Sequence, residues 1–448
     1  MRQVIELEPP PTRAARPAVD QARWPEVAVV PRGRFRAAIA RRLFLMATAG
    51  LPIRVQFPGA PPSGRGSVPV MYLHRPDDFF RRIGAAGLIG FGESYMAGDW
   101  DSGDLPGLLT VLAKRVDRLV PRWAQWLRGA YVARPPADWK ADESGARRNG
   151  HRHYDLSNEM FALFLDETMT YSAALFDSDA GAVRPPGAGR EAAASCLAQA
   201  QRRKIDRLLD AAGVGPGSRV LEIGSGWGEL AIRAAARGAR VRTITVAAEQ
   251  RDLARKRVAQ AGLTGQVTVE LADYREITGE YDAIVSVEMI EAVAERYWPD
   301  YFRVLDRLLA PGGRVGIQAI TMPHHRMLAT RRTQTWILKY IFPGGLIPSV
   351  TAIEENLRAH TGLRITGRHE FGPHYAQTLA IWRDRFAAAA AELAELGFDE
   401  VFRRMWELYL SYSQAGFASG YLQVSQFVLA RAVASTNDAE LAGLRDAA

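Results

Sequence analysis

Three glycines at alternate positions, Gly224, Gly226 and Gly228, follow the apolar segment Val220–Ile223 and precede a segment with a helical pattern. Glycine allows a tight turn and a close approach of the backbone to a ligand, so the turn is typical of a cradle for a nucleotide-like molecule. The strand also carries an acid, Glu222, which would repel the pyrophosphate of a dinucleotide. A ligand with positive charge suits this turn better.

The segments around the turn alternate between strand and helix patterns. The predicted strands are Arg219–Ile223, Val241–Val246, Val267–Leu271, Ala283–Val287 and Val315–Ile320, and the predicted helices are Leu230–Arg237, Glu249–Ala261 and Tyr297–Leu309. This alternation predicts an α/β fold, a doubly wound sheet of parallel strands joined by crossover helices. Ligands of such sheets bind where the strands end, which is where the glycines lie.

The acid, the glycine turn and the order of the elements resemble the class I S-adenosylmethionine-dependent methyltransferases, which have a Rossmann-like sheet. Their cofactor carries a sulfonium and an amino group and no phosphate. The resemblance predicts a cofactor site made of Glu222, Gly224, Gly226, Trp227, Gly228, Thr245, Val246, Gln250, Asp273 and Tyr274. Thr245 and Gln250 stand where an acid for the ribose hydroxyls is usual, and Asp273 is expected at the adenine amino group.

Several separate segments resemble the cyclopropane-fatty-acyl-phospholipid synthase family, which includes the mycolic acid methyltransferases. They are His153–Asn158, Met169–Ser172, the glycine turn, Thr245–Gln250, Met289–Glu291, Lys339–Gly345 and Phe371–Tyr375. The resemblance implies transfer of a methyl group from S-adenosylmethionine to the cis double bond of an acyl chain in a phospholipid. It also adds Tyr171 and Ser172 to the cofactor site.

The implied reaction needs an aligned alkene and a stabilised cation. An alkene is a poor nucleophile, so the enzyme must hold its π bond against the sulfonium methyl at near-attack distance. The attack creates a carbocation, which a desolvated aromatic face stabilises by about 0.5–2 kcal/mol. We expect Tyr171, Tyr375 and Trp298 to provide such faces.

A proton must then leave the cation. In the resembling enzymes a bicarbonate ion takes it, and the matching positions are Glu291, Gln318 and Tyr375, with main-chain contacts at Ala173 and Ile320. Gln318 replaces a histidine, which changes the placement of the base and leaves two products open, a cyclopropane or a methylene branch. The segments Val287–Val293 and Gln318–His324 favour the branch that makes 10-methylene and 10-methyl fatty acids. In that branch a separate flavoprotein reductase completes the product.

The chain has 448 residues and a formal net charge of +8, so it attracts anionic partners. An enzyme acting on RNA would need a basic stripe with exposed aromatics, but the arginines are spread along the whole sequence, and we expect no nucleic-acid partner. Two alternative functions stay open, methylation of another substrate (a small molecule or RNA) and a non-catalytic role in lipid binding. Glu291, Tyr375 and the complete glycine turn argue against a non-catalytic role.

One cysteine, Cys196, excludes an intramolecular disulfide and favours a cytoplasmic compartment. No stretch of about 18 uncharged apolar residues predicts a membrane span, so we expect peripheral association with the inner face of the membrane. The predicted docking surface carries Arg32, Arg34, Arg36, Arg41 and Arg42. No metal is predicted, because the pair His324 and His325 lacks carboxylates at ligand spacing. A homodimer is a further expectation.

Composition and turn signals divide the chain into three parts. We predict a flexible leader over residues 1–30, a smaller N-terminal α+β domain over 31–145, and a methyltransferase domain with acyl-chain-binding insertions over 146–448. The N-terminal domain is predicted to contain helices at Phe35–Ala49 and from Asp77, and strands at Leu51–Phe57 and Val68–Leu73.

Overall fold

The structure is a computed structural model that describes residues 17–59, 68–115, 157–177 and 190–431, with the side chains described from residue 196 in the last range. The predicted boundary near residue 145, residues 1–16 and most of the segment His153–Asn158 lie outside these ranges. Within the described ranges, no helix combines the length and the apolar character needed to cross a bilayer.

The N-terminal part of the described chain is a mixture of helices and strands. It contains α1 (Pro25–Ala28), α2 (Arg34–Thr48), β1 (Arg54–Gln56), β2 (Val70–Leu73), α3 (Pro76–Met96), β3 (Trp100–Asp101) and α4 (Leu105–Lys114). Strand β2 pairs in parallel with β1 and antiparallel with β3. The two predicted strands are therefore present but shorter than the sequence pattern indicates.

Residues 17–30, the second half of the predicted leader, pack against the rest of the chain. Val27 is 1% exposed, and the fully buried Arg82 donates a hydrogen bond to its carbonyl oxygen at 2.7 Å. Arg82 also pairs with Asp99, with 3.0 Å between Nε and Oδ2. This part of the predicted flexible leader is therefore docked on the rest of the chain, because its carbonyl groups help to satisfy a buried guanidinium.

A sheet of seven strands forms the centre of the molecule. Its strands are β4 (Arg219–Ile223), β5 (Arg240–Thr245), β6 (Val267–Leu271), β7 (Tyr281–Val287), β8 (Leu309–Thr321), β9 (Leu363–Glu370) and β10 (Gln423–Arg431). The order across the sheet is β6-β5-β4-β7-β8-β10-β9. Strands β4 to β8 are parallel, whereas β10 is antiparallel to both of its neighbours. The predicted α/β doubly wound fold is confirmed.

The remaining helices connect and cover these strands. They are α5 (Asn158–Phe164), α6 (Arg190–Ala211), α7 (Glu229–Ala236), α8 (Ala248–Gln260), α9 (Trp298–Leu308), α10 (His324–Thr330), α11 (Trp336–Tyr340), α12 (Val350–His360), α13 (Gly372–Ala388), α14 (Ala390–Glu395) and α15 (Glu400–Ala418). Strand β4 is buried from Val220 to Ile223, as expected for a central parallel strand covered on both faces.

One hydrophobic core joins the N-terminal part to the C-terminal helices. Phe79 and Trp100 belong to the same buried cluster as Phe161, Trp382 and Trp406. Helices α3 and α4 both pack against α15. The predicted N-terminal domain is therefore an extension of the main body of the molecule in the described residues, because its apolar faces are covered by the catalytic part.

Candidate active site

The glycine turn leaves β4 and leads into α7. Gly224, Gly226 and Gly228 have φ angles of 96°, 48° and 92°, in the region that favours glycine. A Cβ atom at Gly226 would meet no described atom within 4 Å, so the turn borders open space. The buried Glu222 Oε2 and Ser225 Oγ have no hydrogen-bond partner among the described residues. The cradle therefore offers free polar atoms to a ligand.

These features fit S-adenosylmethionine, whose hydroxyl and ammonium groups donate hydrogen bonds. Burial raises the pKa of Glu222 to about 8, and a bound cation would favour its charged form. At the end of β5, the hydroxyl of Thr245 lies 2.8 Å from Gln250 Oε1 and accepts a hydrogen bond from the Ala247 amide at 3.2 Å. The two residues predicted for the ribose thus contact each other, and Val246 beside them is 39% exposed.

Asp273 and Tyr274 follow β6, so the structure brings them to the same edge of the sheet. The Asp273 carboxylate binds the side chain of Arg275, with distances of 2.9 and 2.6 Å to Nε and Nη2. Any contact with the adenine amino group would share this carboxylate with the guanidinium. The ring of Tyr274 packs edge-on against Tyr301, and burial raises the pKa of Tyr274 to about 12.

Tyr171 and Ser172 lie in the loop that follows α5. The hydroxyl oxygens of Tyr171 and Tyr409 are 2.6 Å apart, and the Tyr171 ring stacks on Trp382 with 5.3 Å between centroids. Ser172 Oγ accepts a hydrogen bond at 2.6 Å from Lys204 Nζ. Burial lowers the pKa of Lys204 to about 8. The loop is therefore fixed both by aromatic packing and by a buried amine.

Trp227 attaches the glycine turn to α5. Its Nε1 donates to Asn158 Oδ1 at 2.7 Å, and its ring lies 5.1 Å from that of Phe161. Its carbonyl oxygen accepts a hydrogen bond from Arg257 Nη1 at 2.8 Å. Because the side chain is 3% exposed and makes two of these contacts while the main chain makes the third, Trp227 positions the turn.

Trp298 is not in the site, so the prediction that it faces a carbocation is wrong. Its Nε1 donates to the carbonyl oxygen of Val293 at 2.9 Å, and the ring is 1% exposed within the core cluster of α9. The first turn of an amphipathic helix directs this ring to the core. Tyr375 lies beside Phe417, with 4.4 Å between ring centroids, and its hydroxyl donates a hydrogen bond to Glu288 Oε2 at 2.7 Å.

A buried polar cluster lies where β7 and β8 end, and its centre is Glu288. The Glu288 carboxylate accepts three hydrogen bonds, from Tyr375 Oη at 2.7 Å, from the Ala173 amide at 2.9 Å and from Gln318 Nε2 at 2.8 Å. Glu288 was not among the site residues predicted from the sequence. The available signal was an acid directly after the predicted strand Ala283–Val287, at the edge where ligands of parallel sheets bind.

Gln318 is oriented by a chain of amides. Its Oε1 accepts a hydrogen bond from Gln426 Nε2 at 3.2 Å, and that nitrogen also donates to the carbonyl oxygen of Lys204 at 3.0 Å. Arg207 donates to Gln426 Oε1 at 2.8 Å. These contacts fix the direction of the Gln318 side chain, so that its nitrogen points to Glu288.

Glu291 occupies a separate position on the 3-10 turn Ile290–Ala292. Its Oε1 accepts a hydrogen bond from the Ile320 amide, and its buried Oε2 has no partner among the described residues. Burial and the neighbouring charge of Glu288 raise the pKa of Glu291 to about 8. The carboxyl group is therefore predominantly protonated at neutral pH.

The predicted bicarbonate does not fit this arrangement. Tyr375, Gln318 and the Ala173 amide, three of the groups expected to hold it, already donate to Glu288. The Ile320 amide, a fourth, donates to Glu291. The protein's own carboxyl groups therefore occupy these four donors, and the described part of the chain leaves no matching set for a small anion.

The described residues contain no group of three or more His, Cys, Asp and Glu side chains that could hold a metal ion. His324, one of the adjacent histidines, lies with Nδ1 2.8 Å from Ser349 Oγ. Its ring thus contacts the cap of α12, because the Ser349 hydroxyl also accepts a hydrogen bond from the Ala352 amide in the first turn of that helix, at 3.0 Å.

The parallel sheet, the glycine cradle and the free polar atoms at the strand ends define a class I S-adenosylmethionine-dependent methyltransferase. A sequence model of the family described as mycolic acid cyclopropane synthetase matches residues 141–427. The chain belongs to this family.

Two curated relatives and one solved structure illustrate the similarity. Over 419 residues the chain is 58% identical to the tuberculostearic acid methyltransferase UfaA1 of Mycobacterium tuberculosis, covering 92% of this chain and 96% of the relative. It is 34% identical to the cyclopropane-fatty-acyl-phospholipid synthase of Escherichia coli, covering 82% and 90%. The crystal structure of the mycolic acid cyclopropane synthase CmaA1 with SAH and CTAB is 30% identical with a TM-score of 0.56, covering 63% of this chain and 97% of that one.

Proposed function

We propose that this methyltransferase forms a methylene branch, rather than a cyclopropane ring, at the cis double bond of a phospholipid acyl chain. Methylation of unsaturated fatty acyl chains is the activity of the family to which the chain belongs. The observation that supports branching is the 58% identity to a tuberculostearic acid methyltransferase, against 34% to a cyclopropane synthase. The buried Glu288 carboxylate also supports the proposal, because it contacts donors that the family resemblance assigns to a bicarbonate ion and so changes the placement of the base.

The cofactor would be held by the turn from Glu222 to Gly228 and by Tyr171, Ser172, Thr245, Val246, Gln250, Asp273 and Tyr274, and it supplies the methyl group as an electrophile. The residues of this chain align the alkene and exclude water. Tyr171 and Tyr375 both pack against Trp382, at 5.3 and 6.2 Å between centroids. Their faces are proposed to stabilise the carbocation. Glu291, Gln318 and Tyr375 are proposed to govern the loss of the proton.

The test is lipid analysis of a bacterial host whose phospholipids carry monounsaturated chains. Expression of the protein should add one CH2 to these chains, and ozonolysis should cleave the product, because a methylene branch keeps a double bond that a ring lacks. Cyclopropane lipids would overturn the branching proposal. Unchanged lipids together with methylated RNA would favour a function on RNA and overturn the lipid function.

A matched pair of variants connects the product to the cradle. Gly226→Val places a side chain in the open space of the turn, at a φ of 48°, and should abolish both product and cofactor binding. Gly397→Val is the control, because Gly397 also has a positive φ, of 84°, and open space around it but lies in the exposed turn after α14. Product formation by Gly226→Val equal to that of the control would contradict the cofactor site.

Helix α2 provides the surface proposed to dock on the membrane. Phe35, Ile39 and Met46 are 79%, 46% and 55% exposed, and helical geometry places them within about 40° of one another. Arg42 lies within the same stripe, and the helix contains no acid. An apolar stripe with arginines is the composition of a helix that lies in the interface of an anionic bilayer.

Two partners belong to the same proposal. A methylene product still carries a double bond, so a saturated methyl branch requires hydride transfer by a separate reductase, for which we propose a flavoprotein. A second copy of the chain is the other proposed partner. Light scattering of the purified protein would test the homodimer. Conversion of the isolated methylene lipid by a candidate flavoprotein reductase would test the reductase as a partner.

A further inference from the structure

We propose that Glu288 is the catalytic base of this enzyme and that its carboxylate takes the place of the bicarbonate ion expected from the family resemblance. This inference rests on the proposed methyl transfer to an alkene. The carboxylate is held by the side chains or main chain of Tyr375, Gln318 and Ala173, three of the groups that the resemblance assigned to the anion. A carboxylate and a bicarbonate ion present the same planar pair of oxygens, so one can replace the other among the same donors.

The distribution of donors leaves one position open for a proton. Glu288 Oε1 accepts from two groups, the Ala173 amide and Gln318 Nε2. Oε2 accepts from Tyr375 Oη, which leaves it one in-plane lone pair. The hydrogen-bonded groups hold the carboxylate in a fixed orientation at the ends of β7 and β8. This edge also carries the glycine turn, because β7 and β4 are neighbours in the sheet.

The backbone conformation at Glu288 is strained, which indicates that the surrounding structure fixes the position of this residue. Its φ is 49°, in the left-handed region, which costs a residue with a side chain roughly 1–2 kcal/mol. Among the described residues other than glycine, Met169 is the second with a positive φ, and it begins the loop of Tyr171 and Ser172. Strained residues persist where the surroundings fix them, and they cluster at functional sites.

The charges around Glu288 suit a base. Burial raises the pKa of Glu288, which makes its carboxylate a stronger proton acceptor than a solvated one, while Lys204 and the three donors favour its charged form. Glu291 has its own pKa raised to about 8 and is predominantly neutral at pH 7, so it adds little competing charge. Burial raises the pKa of Tyr375 well above its usual value, so this hydroxyl remains a donor.

Loss of the proton from the methylated cation requires neither an oxidant nor a reductant. After methyl transfer, a hydride shift along the chain moves the positive charge to the carbon that bears the new methyl group. A C–H bond of that methyl group then breaks, its electron pair forms the double bond of the methylene branch, and the proton binds Glu288 Oε2. The protonated carboxyl group returns this proton to water when the product leaves.

The test compares Glu288→Gln with Glu295→Gln in purified protein supplied with S-adenosylmethionine and vesicles of monounsaturated phosphatidylglycerol. Gln has the same shape, can accept from Ala173 and Gln318, and can donate to Tyr375, so folding and cofactor affinity should be retained. Loss of general-base catalysis should lower turnover by about 10²–10⁴-fold. Glu295 is a partly exposed acid paired with Arg331, and its variant should behave as the wild type.

A second variant tests replacement of the anion directly. Glu288→Gly removes the carboxylate, tolerates the φ of 49° and leaves the three donors available. Added bicarbonate, formate or acetate should restore turnover to this variant in the order of their base strengths and should leave the wild type unaffected. A structural role for Glu288 would give no such order.

The outcomes separate the two proposals. Methylated lipid from the wild type, together with Glu288→Gln turnover within about threefold of it, would overturn the base assignment and leave the proposed function intact. Loss of wild-type turnover when bicarbonate is depleted would also overturn the assignment. No methylated lipid from the folded wild type would overturn the proposed function, and the assignment of Glu288 with it.

Discussion

Two buried carboxyl groups, Glu288 and Glu291, lie three residues apart and differ in how they are satisfied. Glu288 accepts three hydrogen bonds from the described residues, whereas Glu291 accepts one at Oε1 and none at Oε2. Hydrogen bonds to an ionised carboxylate favour that form, and a nearby like charge disfavours ionisation of a second group. The contacts therefore favour the charged form of Glu288, whereas burial and the neighbouring charge favour the neutral form of Glu291.

Glu291→Gln should flatten the pH dependence of stability. In the folded state its pKa is raised to about 8, so between this value and the ordinary glutamate range the folded protein binds more protons than the unfolded one. Stability is then lost as pH rises through this window, by up to about 1.4 kcal/mol per pH unit, and the neutral Gln removes this contribution. Urea unfolding of both proteins between pH 5 and pH 8 measures the difference.

Activity provides the second readout for the same residue. Since Glu291 is predominantly protonated at pH 7 and Gln keeps a neutral side chain of the same shape there, Glu291→Gln should lower turnover less than Glu288→Gln does. Equal losses in the two variants would show that the carboxyl groups act as one unit and would contradict their separate protonation. A pH dependence of stability in Glu291→Gln equal to that of the wild type would also contradict the separate protonation of the two carboxyl groups.

At the scale of elements, sequence patterns predict the part of the fold that local rules determine. Strands β4 to β8 are short apolar runs bounded by glycines and helices, and all were predicted, although β8 begins six residues earlier than the predicted Val315. Strands β9 and β10 were not predicted. Strand β9 alternates buried or partly buried residues with exposed ones at the edge of the sheet, and β10 carries Ser425 and Gln426, so neither is a continuous apolar run.

Local sequence patterns predict the part of the site whose residues are adjacent in sequence, whereas the grouping of Ala173, Gln318 and Tyr375 was predicted through the family resemblance alone. The glycine turn is one continuous segment, and its position at a strand end follows from that segment alone. The Glu288 cluster instead joins residues that are 115, 30 and 87 positions away, at Ala173, Gln318 and Tyr375. Their convergence depends on the packing of β7, β8 and α13 with the loop after α5, which no local pattern determines.

Removing the apolar stripe of α2 should weaken membrane binding. Phe35→Ser and Ile39→Ser each remove exposed apolar area, and full burial of such a side chain contributes roughly 1.5–3 kcal/mol, so the double variant should bind anionic vesicles at least about tenfold more weakly. Leu396→Ser is the control, because Leu396 is also exposed, at 43%, but lies on the turn after α14. Sedimentation with phosphatidylglycerol vesicles measures the binding.

Salt separates the contribution of the arginines from that of the apolar stripe. Each arginine near the bilayer adds about 1 kcal/mol with anionic lipid, and this attraction is screened as ionic strength rises. Binding of the wild type should therefore weaken in high salt. Affinity that is independent of salt, or equal in the stripe variant and the Leu396→Ser control, would place the docking surface elsewhere.

At the scale of the whole molecule, the N-terminal part and the helices that pack on the catalytic sheet are joined by buried polar contacts as well as by the shared core. Arg404 on α15 donates to the carbonyl oxygens of Tyr95 and Trp100 at 2.7 and 3.1 Å. Lys339 on α11 pairs with Glu93 on α3 at 2.6 Å. Each of these contacts joins a residue of the N-terminal part to a residue of α11 or α15. Neither part therefore satisfies its buried polar groups alone.

The buried pair of Arg82 and Asp99 should therefore affect the stability of the whole molecule. Both side chains are inaccessible, and Arg82 also donates to the carbonyl oxygens of Glu26 and Val27, so Arg82→Met leaves a buried carboxylate and two carbonyl groups short of a donor. Removal of one partner of a buried pair costs about 3–5 kcal/mol. Arg303→Met is the control, because the pair of Arg303 with Asp300 is exposed and such pairs contribute about 0.2–1 kcal/mol. Urea unfolding should show a large loss for the first variant in one transition that includes the catalytic sheet, whereas a loss confined to an N-terminal transition would contradict the shared core.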